Sequence, residues 1–131
     1  MKNIQLKAYR TEELTFVNKL PVNTKIELSN KYSYNVGYSK LNTCRGEFKA
    51  EICDKNNPDK FNIKITLIGV FVTPADMEKE KLHVATYDAI FPYVRAAVSN
   101  LTVNAGIPPI MIPYADISGQ SIYRVEIPGK K

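Results

Sequence analysis

One long amphipathic segment, residues 82–113, most constrains how this chain can fold. Its apolar residues recur at alternating intervals of four and three, which places them on one face of an α-helix. Gly106 favours the left-handed conformation that closes a helix, and the prolines that follow prevent its continuation. We predict one long helix from Tyr87 or Asp88 to Ala105, with Asp88 as its N-cap. The apolar surface of this helix is larger than a small domain covers, which indicates oligomerisation or binding of apolar chain segments.

The chain of 131 residues has the size of one domain, and we treat residues 1–131 as a single unit. No run approaches the roughly 18–20 apolar residues that a membrane span requires. The charged N-terminal segment lacks the apolar core of a secretory signal. We therefore expect a cytoplasmic protein without membrane insertion. The formal net charge of +5 comes mainly from dispersed lysines, which do not favour nucleic acid as a partner.

The two cysteines, Cys44 and Cys53, do not indicate an extracellular disulfide framework. If residues 45–53 form one strand, the thiols lie roughly 30 Å apart and face opposite sides of the sheet. We therefore predict two free thiols in a reducing compartment.

The first half of the chain has the alternation of β-strands. Residues 46–53 and 61–67 alternate apolar and polar side chains, and residues 54–60 between them are rich in turn formers. This pattern predicts an antiparallel hairpin with one wet and one dry face. In residues 67–72 both parities are apolar, so we expect this strand end to be covered on both faces, by this chain or by a neighbour.

The remaining local signals are weaker. Residues 3–8 alternate, and residues 14–16 resume the alternation after a charged break that we interpret as a bulge. Residues 29–43 place serine, asparagine and glycine between tyrosines of one parity, so we predict an irregular, partly extended crossover. Residues 77–81 are predicted to form a charged turn or a short helix.

No constellation of residues indicates catalysis, and we expect that the protein is not an enzyme. The single histidine, His83, lies between apolar residues and is interpreted as a structural or surface residue. The sequence has no nucleophile elbow, no phosphate-binding glycine pattern and no ligand spacing typical of a metal site. We therefore expect no metal, no cofactor, and a function that depends on the surface.

Three motifs around the helix resemble the SecB export-chaperone family. They are FPYVR at residues 91–95, VSNL at residues 98–101 and AGIPPIMIP at residues 105–113. Weaker likenesses occur in the strands, at ELTF (residues 13–16) and IGVF (residues 68–71).

The resemblance implies an α+β fold, with a four-stranded antiparallel sheet and one long helix packed on one face. It also implies subunits that pair through helices as a dimer of dimers, and ATP-independent binding of unfolded polypeptides such as preproteins for export. The oligomer interface would then contain Tyr93, Ala96, Asn100 and Val103. The apolar groove that binds clients would be lined by Phe71, Tyr34, Ile107, Ile110, Met111 and Ile112. The alternative for Phe71 and Ile112 is that both are core residues.

The chain also departs from the family. The resemblance implies acidic sheet residues that hold the tail of the SecA motor, and those places fall on Glu13, Val17 and Lys64 here. One acid is kept, one is lost and one is reversed in sign, and a net charge of +5 disfavours a cationic tail. Residues 114–131 are predicted to form a variable C-terminal tail, either a short strand or a loose segment, so that the family's second helix is short or absent.

Other functions stay open on the sequence. A SecB-like chaperone can be dedicated to a partner in a toxin–antitoxin system instead of export. From a different class, tyrosines interleaved with lysines could form a stacking platform for single-stranded nucleic acid, at Tyr32, Tyr34, Tyr38, Lys31 and Lys40. A purely structural assembly subunit is the third alternative.

Overall fold

The computed structural model describes residues 3–39 and 41–115. In that part of the chain, four β-strands are followed by one long α-helix. The elements are β1 (Gln5–Asn18), β2 (Leu28–Tyr38), β3 (Thr43–Asp54), β4 (Phe61–Val72) and α1 (Lys79–Asn104). The predicted α+β fold is therefore confirmed, with the helix packed on one face of an antiparallel sheet.

The strands lie in the order β1–β4–β3–β2, and every neighbouring pair is antiparallel. β1 and β2 follow each other in the chain but lie at opposite edges of the sheet. Residues 19–27, the crossover segment, must therefore pass from one edge to the other.

The alternation in β3 and β4 determines which face meets the helix. In register, Ile52 lies beside Ile63 and Phe48 beside Leu67, and all four side chains are buried on this inner face. Burial of each large apolar side chain contributes about 1.5–3 kcal/mol. The residues between them point to the opposite, outer face, which is mostly charged or polar.

β1 is one strand with two register shifts against β4, between Leu6 and Ala8 and between Thr11 and Glu13. The second shift falls on the charged break in the sequence, which confirms the predicted bulge.

The prediction of an irregular crossover at residues 29–43 is wrong. β2 is a regular strand that pairs along its whole length with β3. Tyr32 and Tyr34 lie on the inner face and are buried, whereas Lys31 and Ser33 alternate with them on the outer face. An edge strand tolerates such polar residues because its outer face meets water.

The prediction for the start of the helix is also wrong. α1 begins at Lys79, with Glu78 at the N-cap position, and not at Tyr87 or Asp88. The segment predicted as a charged turn or a short helix, residues 77–81, therefore contains the first residues of the long helix.

Pro92 lies inside α1 and not near its start. It lacks the N–H that would bond to the carbonyl four residues earlier, so the helix loses one hydrogen bond there. Burial offsets this loss, because Leu82, His83 and Thr86 extend the buried face toward the N-terminus. The C-terminal end agrees with the prediction, since Gly106 has a φ of +84° just after the helix.

The outer face of residues 67–72 is covered only in part within the chain. Ile68 is 3% exposed, but Val70 is 41% exposed. In register, Ile68 lies between Arg10 of β1 and Glu47 of β3, and long charged side chains can cover apolar surface beside them.

Cys44 and Cys53 are buried free thiols on opposite faces of the sheet, as predicted. Burial raises the pKa of both thiols above the ordinary value.

After α1 the chain turns back and runs along the helix as an extended strap, residues 110–115. Arg95 Nε donates to the carbonyl oxygen of Ile112 at 3.1 Å, and the hydroxyl of Tyr114 donates to Asp88 Oδ1 at 2.5 Å. From residue 116 onward the predicted C-terminal tail lies outside the described residues. Within the described ranges, no helix is long and apolar enough to cross a membrane.

Candidate functional site

An apolar groove lies at the end of the sheet where the crossover segment meets the loop after α1. Its volume is about 600 Å³, which is within the range of roughly 300–1,000 Å³ typical of ligand pockets. Every residue that lines it is uncharged. Its large apolar side chains are Leu20, Val22, Ile26, Leu28, Phe61, Ile107 and Ile110.

A turn in the crossover segment forms one wall of the apolar groove. The backbone N–H and the Oγ1 of Thr24 both donate to the carbonyl oxygen of Pro21, at 3.2 and 2.5 Å. Asn23 adopts a left-handed φ of 68°, which asparagine tolerates better than most residues. This turn leaves Val22 89% exposed at the rim.

Buried Thr102 fixes the opposite wall. Its carbonyl oxygen accepts the N–H of Ile107 at 3.1 Å, and its Oγ1 accepts the N–H of Ile110 at 3.0 Å. The residues between these anchors include Pro108 and Pro109, which have no N–H to satisfy. The loop is therefore held in one shape without a regular element.

Two of the six residues predicted to line a client groove, Ile107 and Ile110, line the apolar groove. Tyr34, Phe71 and Ile112 do not: they are 1%, 0% and 0% exposed and belong to the core between sheet and helix. Their placement in a client groove was wrong, because inward-facing strand positions and the strap are sealed by α1. Met111 is 62% exposed but is not among the residues that line the cavity.

The sequence reasoning missed the crossover wall. Leu20, Val22, Ile26 and Leu28 share one parity along the chain, and this alternation could have identified them. The signal is weak because the segment contains a proline and no β-strand.

A second apolar surface, the open helix surface, extends from α1 onto β1. The predicted interface residues Tyr93, Ala96, Asn100 and Val103 are all exposed. Tyr93 packs its ring against Tyr9 of β1, with the ring centroids 4.5 Å apart. Tyr9 and Leu14 face the helix side of the sheet but stay 49% and 45% exposed. The sequence did not predict that these two side chains are exposed, because residues on the inner face of a sheet are normally buried in the core.

The outer face of the sheet carries a shallow cavity of about 490 Å³ that contains both predicted motor-docking residues, Glu13 and Lys64. Lys31, Lys49 and Glu51 also line it. The mixture of charges is not the acidic surface that a cationic tail requires.

The tyrosine platform for nucleic acid is not supported. Tyr32 and Tyr34 are 4% and 1% exposed, so their faces cannot stack on bases. Tyr32 donates its hydroxyl to the carbonyl oxygen of Pro113 at 2.7 Å, and burial raises its pKa to about 12. Lys31 lies on the other face, and Lys40 lies outside the described residues.

A buried polar cluster joins β2 to α1. Tyr34 donates its hydroxyl to Thr86 Oγ1 at 2.5 Å, and the ring of His83 packs edge-on against Tyr34 at 5.2 Å. The Nε2 of His83 is buried without a hydrogen-bond partner in the described part of the chain. Burial lowers the pKa of His83, so the imidazole is neutral near pH 7. The cluster lies in the core, and no described group of three or more histidine, cysteine or acidic side chains could hold a metal ion.

Comparisons with known proteins agree with this geometry. No protein-family model matches the chain. The protein-export proteins SecB of two Orientia tsutsugamushi strains, Boryong and Ikeda, are each 28% identical to it over 127 residues, which covers 88% of this chain and 79% or 77% of the relative. The chain is therefore similar in sequence to SecB proteins over most of its length. Among solved structures, a SecB-like chaperone of Mycobacterium tuberculosis, in complex with a ChAD peptide from the HigA1 antitoxin, has the same fold. It superimposes with a TM-score of 0.69 at 15% sequence identity, over 86% of this chain and 90% of that one.

Proposed function

We propose that this SecB-like chain is an ATP-independent chaperone that binds unfolded or non-native polypeptides and keeps them soluble. The observation that carries the proposal is the apolar groove, which stays open to solvent at one end of a fully formed core. A small soluble domain gains no stability from apolar side chains left in water, whereas an unfolded chain offers apolar side chains to cover them.

Both walls of the groove are fixed before any client arrives. The Pro21–Thr24 bonds hold the rim at Val22, and Thr102 holds Ile107 and Ile110. A preformed site loses little conformational entropy on binding. Because its lining is apolar and uncharged, it selects for apolar side chains and not for one sequence.

The open helix surface supports a homo-oligomer, with a dimer of dimers as the expected form. Tyr93 and Val103 are 41% and 52% exposed, and Tyr9 extends the same surface. Aromatic side chains such as these two tyrosines are enriched in the buried centre of interfaces between subunits. We propose that a second copy covers this surface in the cytoplasm.

Two cellular roles are open to such a chaperone: protein export, and protection of an antitoxin. Export is favoured by the SecB relatives, and an antitoxin client is favoured by the peptide bound to the structurally similar chaperone. Docking to the SecA motor is the weaker part of the export version, since Glu13 and Lys64 carry opposite charges where acids are expected.

The test uses one valine and one leucine of nearly equal exposure, one before the start of β2 and one after its end. Val22 at the groove is 89% exposed, and Leu41 at the β2–β3 turn is 90% exposed. The parent protein should suppress aggregation of a chemically unfolded client without nucleotide. Val22→Asp should lower this activity several-fold, and Leu41→Asp should leave it nearly unchanged, as followed by light scattering.

Two outcomes would contradict the proposal. One is an absence of suppression by the parent protein at stoichiometric amounts. The other is an equal loss in both variants, which would place the apolar contact elsewhere. Unfolding midpoints of all three proteins, measured by circular dichroism, separate these outcomes from misfolding.

A further inference from the structure

The charges around the apolar groove define the kind of client that it fits. Four charged residues are direct chain neighbours of residues that line the groove, and all four are exposed. Three are lysines and one is an acid: Lys19, Lys25, Lys60 and Glu27.

The three lysines lie in the two segments that border the groove, the crossover segment and the turn before β4. Lys19 lies between Asn18 and Leu20, which both line the cavity. Its backbone N–H donates to the carbonyl oxygen of Lys60 at 2.6 Å, so the two lysines are held side by side. Lys25 follows in the same crossover segment, between lining residues Thr24 and Ile26.

These lysines are not neutralised within the described part of the chain. The ion pair found there joins Arg10 and Glu12, which lie in β1 and do not line the groove. Asp59 precedes Lys60 in the chain, but within the described residues no ion pair joins it to these lysines. Asp54 already accepts the backbone N–H of Glu27 and of Asn57, both at 2.9 Å. Those bonds lower the pKa of Asp54 and keep its carboxylate turned to the backbone.

The apolar groove thus has an uncharged lining and a cationic rim. The loop after α1 adds no charge of either sign, since residues 105–110 contain none. An apolar segment flanked by basic residues would bring like charges together at the rim, whereas acidic flanks would be attracted. The formal net charge of +5 acts in the same direction at longer range.

We propose that the preferred clients are apolar segments flanked by aspartate or glutamate. The inference rests on the proposed function, because it concerns the same groove. It adds a charge preference that the apolar lining alone does not supply.

The test compares two fluorescent peptides with one apolar centre, flanked by aspartates in one and by lysines in the other. Fluorescence anisotropy should show about tenfold tighter binding of the aspartate peptide at low salt, since each exposed charge pair contributes a few-fold. The preference should shrink at high salt, where screening shortens the range of these charges.

The decisive variant is Lys19→Glu/Lys25→Glu/Lys60→Glu, which should reverse the preference. Its matched control is Lys31→Glu/Lys49→Glu/Lys64→Glu on the outer face of the sheet, which should keep it. Equal or tighter binding of the lysine peptide by the parent protein overturns the inference and leaves the chaperone function intact. If neither peptide binds, the proposed function itself fails, and the inference fails with it.

Discussion

The hydroxyl of Tyr34 lies over Gly46 of the neighbouring strand, in the space that a Cβ would occupy. The ring carbon Cζ of Tyr34 is 3.0 Å from the ideal position of that Cβ. From there Tyr34 reaches Thr86 on α1. The absence of a side chain at Gly46 thus permits the hydrogen bond that joins β2 to the helix.

Substitution of Gly46 by alanine should therefore destabilise the fold. A methyl group at this position collides with a fully buried ring, and overpacking of this kind costs about 1–3 kcal/mol. Gly37→Ala is the matched control in β2, because nothing lies within 4 Å of its Cβ position. It should be neutral or stabilising by up to about 1 kcal/mol. Urea unfolding measures both, and equal effects would show that Tyr34 can move aside without cost.

The sequence predicted well those strands whose alternation of apolar and polar residues is set by burial alone. β3 and β4 lie at the centre of the sheet, so burial forces alternation, as at Ile52 and Ile63. β2 was missed because only its inner face is covered, and Ser33 carries no strand signal at all. The start of α1 was missed because a proline such as Pro92 is best tolerated near a helix start, whereas here tertiary burial supports the helix on both sides of it.

The residues of the apolar groove could be predicted only where they belong to a recognisable sequence motif. Ile107 and Ile110 belong to the proline-rich exit of the helix. Val22 and Leu28 reach the groove only through the path of the crossover segment, which depends on the strand order. Phe71 was misplaced because an apolar residue in a strand gives no indication of which face the helix covers.

The stability of the protein should depend on His83 at mildly acidic pH. The folded state keeps this imidazole neutral, and its pKa is lowered by burial. The unfolded chain binds a proton below about pH 6.5. Stability contributed by the neutral form is thus present above that pH and is lost as the pH falls through the folded-state pKa. Because the chain has one histidine, urea unfolding between pH 7.5 and 5.5 should show a decline that His83→Phe removes. A decline of the same size in the variant would assign the effect to other groups.

Both cysteines should be unreactive in the folded protein. Cys44 and Cys53 are 2% and 8% exposed, and a raised pKa leaves less of the nucleophilic thiolate. A thiol reagent at pH 8 should therefore modify them only as fast as the protein opens, and should modify two thiols at once in urea. We expect the faster phase of labelling to come from Cys53, and the variant Cys53→Ser should therefore lack that phase. Immediate labelling of either thiol without denaturant would contradict the described burial.

A lysine at position 103 should dissociate the proposed oligomer. Val103 lies on the open helix surface and Val70 on the outer face of the sheet, and they are 52% and 41% exposed. In a single chain both substitutions, Val103→Lys and Val70→Lys, leave the new charge in water, so each should change stability by only about 0.5 kcal/mol. In an assembly that covers the helix surface, Val103→Lys buries an unpaired charge, which is strongly unfavourable. Sedimentation velocity should show smaller particles for this variant alone. Equal dissociation by Val70→Lys would place the subunit contact elsewhere. A monomeric parent protein would contradict the proposed oligomer.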